Sequence, residues 1–229
     1  DLARWLLERR RLDAIRAALA GDGNASDTTL AALDDEALIG LCVAGARYAR
    51  ERNNEPMKDV MRAIWSSIVA SRVSIIGSMT TDGTGPRTDA ANRGDGAADA
   101  EASTSTLSLG ATINLLLFAH EMAMLDGDAR PFDLAETALY NAVRGGVSLS
   151  GDRFFASPPV VNDDTVERQA WSEDASGPTD LLRLFGRVDD LVAARDRDVV
   201  YINLYTPGEF ATTFGRPIAR FTIRGEYPW

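Results

Sequence analysis

The sequence predicts a mainly α chain: helical hairpins of the kind that build an α/α toroid, followed by the first strands of a β-sandwich. Three observations carry this. Apolar residues recur at helical spacing in segment after segment over the first three quarters of the chain. Turn signals such as GDGNASD and NNEP separate those segments into pairs. The last 34 residues, 196–229, switch to alternating, β-branched and aromatic patterns.

Residues 1–20 place Leu2, Trp5, Leu6, Leu12, Ile15 and Leu19 on roughly one face. A second helix is expected over 28–52, with Leu30, Leu33, Leu38, Leu41 and Ala44 apolar. Pro56 suits the first turn of a third helix, where Met57, Val60, Met61, Ile64, Trp65 and Ile68 recur at helical spacing. The fourth helix, expected over 104–125, is apolar almost all round and should be buried. A fifth opens at Pro131 and ends at Gly145-Gly146, and VSLSGDRFFAS reads as a hairpin turning at Gly151-Asp152. A last helix is expected over 181–195. DVVYINLY, GEFATTFG and PIARFTIRG read as strands. The expected division is a helical domain over 1–195, carrying a polar loop at 80–106 and a hairpin at 147–157, and the start of a sandwich over 196–229.

Between Met79 and Leu107 there is no Val, Ile, Leu, Met or aromatic residue, so that segment reads as a disordered or functional loop. Its Gly83-Thr84-Gly85 lacks a following Lys, and its aspartates miss the calcium-loop spacing, so neither a phosphate loop nor a calcium site is expected there.

The chain has 229 residues and a net charge of −10, with 45% hydrophobic residues, enough to bury a sizeable core. A pI near 4.6 argues against a nucleic-acid partner and against an anionic membrane surface. The longest apolar runs, such as INLLLFA, are too short to span a bilayer. One cysteine, Cys42, lies in an apolar run and reads as a buried thiol; alone it assigns no compartment. Both ends read as cut, within a helical pattern that lacks Met and directly after a strand pattern, so the chain is expected to be part of a longer protein.

The stretch WSEDASGPTDLLRLFG, 171–186, is the place to look for chemistry, because a polar loop runs there into an amphipathic helix. Trp171 reads either as a stacking surface for a sugar ring or as a core residue. Asp180 reads as a hydroxyl contact or, better, as the helix N-cap. Glu173 and Asp174 are the candidate catalytic carboxylates. Being adjacent, they cannot serve as the two facing groups of a glycosidase; one needs a partner such as Asp82, Asp89 or Asp95. Each of these acids also reads as a solvated loop residue.

ALYNAVRGGVSLSGDRFF (138–155) resembles glycoside hydrolase family 127, the β-L-arabinofuranosidase family, where a helix ending in Leu-Tyr-Asn leads into a Ser-Leu hairpin and a Phe-Phe pair. The likeness continues through Trp171, Pro178 and Leu182-Arg183-Leu184, then YINLYTPGE (201–209) and Tyr227-Pro228-Trp229, and more weakly back through RAIWSSIVASR and DLARWLLERR. The resemblance implies the later hairpins of an (α/α)6 barrel, a carbohydrate partner, and retaining hydrolysis by a cysteine thiolate held on zinc by a glutamate and further cysteines. It also implies where those groups would fall. The nucleophile falls on Gly177, two other zinc ligands near Ser108 and Gly110, and the acid/base near Pro86. His120 is the one histidine where a histidine-rich pocket is implied, and it lies on the helix expected to be buried. No zinc site can be built from Cys42 and His120, so no metal or cofactor is expected. Two readings remain: a divergent glycosidase working with carboxylates, or a non-catalytic carbohydrate-binding relative.

Overall fold

A computed structural model describes residues 36–80, 107–155, 158, 167–170, 176–196, 199–213 and 218–226. The first expected helix and the polar loop, apart from Thr80, lie outside these residues. The chain divides into two compact units between Leu181 and Leu182.

The first unit is built on paired helices. Helix α1 (Glu36–Glu51) turns through Asn53, whose φ of 47° is reached at modest cost by asparagine, into α2 (Glu55–Ser71). Asn54 caps α2, its side chain accepting the Met57 N–H at 3.1 Å, and Pro56 sits in the first turn as expected. After the short strands β1 (Met79–Thr80) and β2 (Leu107–Ser108), paired antiparallel, comes α3 (Leu109–Asp126). Gly127, in the left-handed region, closes α3 and its N–H returns to the Ala123 carbonyl. Helix α4 (Arg130–Thr137) then continues through a π-helical stretch (Ala138–Val143) into a last turn, α5 (Arg144–Gly146).

Successive helices alternate in direction, as a chain of hairpins requires. Along α1 and α3, Gly40 faces Asn114 and Arg50 reaches Glu121, so these two run parallel. Arg62 reaches Asp126 while Trp65 meets Phe118, so α2 runs against α3. Gly146 lies against Leu109, so the α4–α5 arm returns to the start of α3.

The core explains the sequence pattern. Ile39, Cys42 and Ala46 from α1, Met61, Ile64 and Ile68 from α2, and Leu115, Phe118 and Met122 from α3 form one buried cluster. The α3 helix is buried from Leu109 to Ala123 on every side, which is why its apolar residues show no preferred face. Trp65 meets Phe118 edge to face, with ring centres 5.5 Å apart.

The expected hairpin is short. Val147 bridges Phe154, the Ser148 N–H donates to the Arg153 carbonyl, and Gly151 turns with a φ of 75°. Strand β3 (Arg153–Phe154) then pairs with β4 (Gln169–Ala170).

The helix expected over 181–195 is different in the structure. Helix α6 covers Ser176–Phe185, α7 is a separate turn over Val188–Val192, and Ala193–Asp196 is strand β5. Pro178 occupies the first turn of α6, where an N–H has no helical partner to lose. The chain breaks at Gly186, whose N–H closes onto the Leu182 carbonyl. Strand β5 forms because it pairs with β6 (Val199–Ile202), a non-local contact that overrides a helix-compatible sequence. A second hairpin joins β7 (Gly208–Thr213) to β8 (Ile218–Ile223), with Phe210 stacked on Phe221 at 5.0 Å.

Candidate functional site

Two of the candidate positions, Ser108 and Gly110, fall at one end of the helical unit. There α2 stops, β1 and β2 pair, and α3 begins. The chain from Arg72 to Thr80 doubles back on itself: Thr80 N–H donates to the Arg72 carbonyl at 3.0 Å, and Ser74 N–H to Ser78 carbonyl at 2.9 Å. Gly77 makes this turn possible. Its φ is 76°, and a Cβ there would lie 2.6 Å from the Ala138 nitrogen, so no other residue fits.

Near Ser108 and Gly110, and at Gly177, where the resemblance puts the zinc-held groups, the structure places residues with other work. Ser108 is the N-cap of α3, its hydroxyl accepting the Ala111 N–H at 3.1 Å. Gly110 is buried in the first turn of the same helix and offers no donor. Gly177 lies in the first turn of α6. Zinc needs deprotonated sulfur, neutral imidazole or carboxylate donors, and these positions offer none. Cys42 is no substitute, because it sits in the core cluster and burial pushes its thiol up to about 12. The residues present at these positions do not fit the metal. Among the described residues, no three of His, Cys, Asp and Glu are grouped to hold an ion.

His120 is buried on α3, as expected, with its ring edge-on to Phe132 at 5.7 Å. Asp180 is half-buried but is not the N-cap of its helix. Because α6 begins at Ser176, Asp180 lies a full turn inside it. Trp171, Glu173 and Asp174, together with Asp82, Asp89, Asp95 and Pro86, lie outside the described residues.

Sequence reasoning weighed His120 but passed over three other polar groups on α3, Thr112, Asn114 and Glu121. Thr112, Asn114, His120 and Glu121 are buried in a helix that is otherwise apolar, and such groups require partners. Thr112 joins Ser78, Met79 and Ser108; Glu121, 2% exposed, takes Arg50 at 3.0 Å. The signal was legible as single polar letters inside TINLLLFAHEM. Glu136, on α4, is a further carboxyl of note: partial burial and then the Asp133 carboxylate hold it above the usual range.

A run of helical hairpins ending in β-hairpins is an architecture that glycosidases of the α/α type share. The comparisons narrow this to one family. The model of the "Beta-L-arabinofuranosidase, GH127 catalytic domain" matches residues 1–183, so the chain belongs to the GH127 catalytic-domain family. A GH127 β-L-arabinofuranosidase from Geobacillus stearothermophilus T6 superposes with a TM-score of 0.70 at 22% identity, over 82% of this chain and 31% of that one. A second structure, of a GH127 β-arabinofuranosidase, gives 0.71 at 23% identity, over 82% and 29%. A third, of a glycoside hydrolase, gives 0.67 at 21%, over 82% and 34%. At such identities the likeness is one of fold, and the chain spans about a third of the length of these proteins. No curated protein matches the chain. No helix among the described residues is long and apolar enough to cross a membrane.

Proposed function

We propose that this chain is the carbohydrate-binding part of a GH127-type protein in which hydrolysis does not run through a zinc-held thiolate. The observation that carries this reading is the use of Ser108 as a helix cap. Its hydroxyl, near where the resemblance puts a metal ligand, accepts the Ala111 N–H. Family membership supports carbohydrate as the partner class.

In this reading Trp171 offers a ring face to a sugar and Asp180 a hydroxyl acceptor. Glu173 and Asp174 are the carboxylates that would move a proton in any hydrolysis that remains, one of them working with a carboxylate elsewhere. The test combines titration calorimetry with arabino-oligosaccharides and turnover of aryl β-L-arabinofuranosides and pyranosides, with zinc and with chelator. Saccharide binding that Trp171→Ala weakens at least tenfold, with no turnover dependent on zinc, is expected. Turnover that chelation abolishes and added zinc restores would sink the reading. Zinc-independent turnover abolished by Glu173→Gln would select the carboxylate glycosidase instead.

A further inference from the structure

The hydroxyl of Thr112 sits where three pieces of chain meet. It lies 2.6 Å from the Ser108 carbonyl, 2.9 Å from the Ser78 hydroxyl and 3.0 Å from the Met79 nitrogen. The direction of every bond follows from valence. A carbonyl only accepts, so the single Thr112 proton goes to Ser108. Its two lone pairs then receive the Met79 N–H and the Ser78 O–H, which makes Ser78 the donor. Thr112 is thus fully used, and so is the Ser78 proton. Thr112 and Ser78 are fully buried and Met79 is 2% exposed, so water cannot replace any of these bonds.

These bonds tie the turn after α2 to the first turn of α3. The β1–β2 pair lies beside them, with Met79 opposite Ser108 and Thr80 opposite Leu107. Residues 80 and 107 are therefore directly cross-strand, about 4.5–5.5 Å apart between Cα atoms, a gap that a two-residue turn spans. We infer that Thr112 is the keystone of a self-sufficient clasp, so that the helical unit keeps its fold whatever sequence joins Thr80 to Leu107. A clasp of this kind lets that 26-residue join, 81–106, be exchanged without cost to the helices.

The experiment replaces 81–106 in the full chain by an Asn-Gly turn, and makes Thr112→Val and Thr112→Ser in both the parent and the shortened chain. The shortened chain is expected to melt within about 3 °C of the parent. Thr112→Val, the same shape without the hydroxyl, is expected to lower the melting temperature of both by about 5–10 °C, and Thr112→Ser by less than half of that. Hydrogen exchange reads the clasp directly: the Met79 amide should be protected in the parent and in the shortened chain, and lose protection with valine. A shortened chain that fails to fold, or whose Met79 amide exchanges freely, overturns the inference. So does a serine variant as damaged as the valine one.

Discussion

The helical unit and the β unit are made from comparably apolar sequence, yet they bury it very differently. Helix α3 is covered on all sides from Leu109 to Ala123. Strand β8 alternates between exposed and half-buried positions along its whole length, β7 does so from Glu209 onward, and Ile218 and Tyr205 are exposed. The difference is one of hydrogen-bond closure. A helix satisfies its backbone within itself and needs only side-chain neighbours. A two-stranded sheet leaves one edge of each strand open, and an isolated hairpin is marginal in water.

The sharpest way to break the comparison is to empty the helical core. Phe118→Ala should cost about 3–5 kcal/mol in denaturant unfolding, because the ring is fully buried and meets Trp65 edge-on. Gly77→Ala comes next, at about 2–3 kcal/mol, combining a positive φ with a clash against the Ala138 backbone. Arg50→Ala takes the Arg50 guanidinium away from the buried Glu121 carboxylate; Arg50 is partly exposed, so the loss should be about 2 kcal/mol, and Arg50→Lys should recover part of it. In the β unit Phe210→Ala should cost about 1 kcal/mol, the value of a ring pair that is only half-buried. Arg47→Ala, which removes an exposed and solvent-screened pair with Glu51, should have the smallest effect of all, leaving the denaturant midpoint unchanged within error. A Phe210→Ala loss as large as that of Phe118→Ala would mean that the two units do not differ in the way described.

The same contrast separates what could be read in advance from what could not. Helix α3, the Asn54-Pro56 start of α2 and the Gly151 turn were legible, because periodicity, capping and glycine act locally. Strand β5 was not. Ala193–Asp196 continues a helical rhythm, and only its pairing with Val199–Ile202 makes it extended. The start of α6 was misplaced for a related reason. Gly177-Pro178 has the letters of a turn, but proline is equally at home in a first helical turn, so Asp180 stands inside α6 and not at its cap. At the candidate site, the lack of sulfur at position 177 was plain from the letters. The bonding of Ser108 and Thr112 was not, because it depends on which segments meet at the head of α3.

Cys42 has a practical consequence. It is the single sulfhydryl in the chain, sealed among Ile39, Ala46 and their neighbours, with its ionisation held off until about 12. An aqueous thiol reagent can reach it only when α1 leaves the bundle. Its labelling rate at ordinary pH is therefore a built-in clock for large-scale opening, and it needs no added probe to tell time.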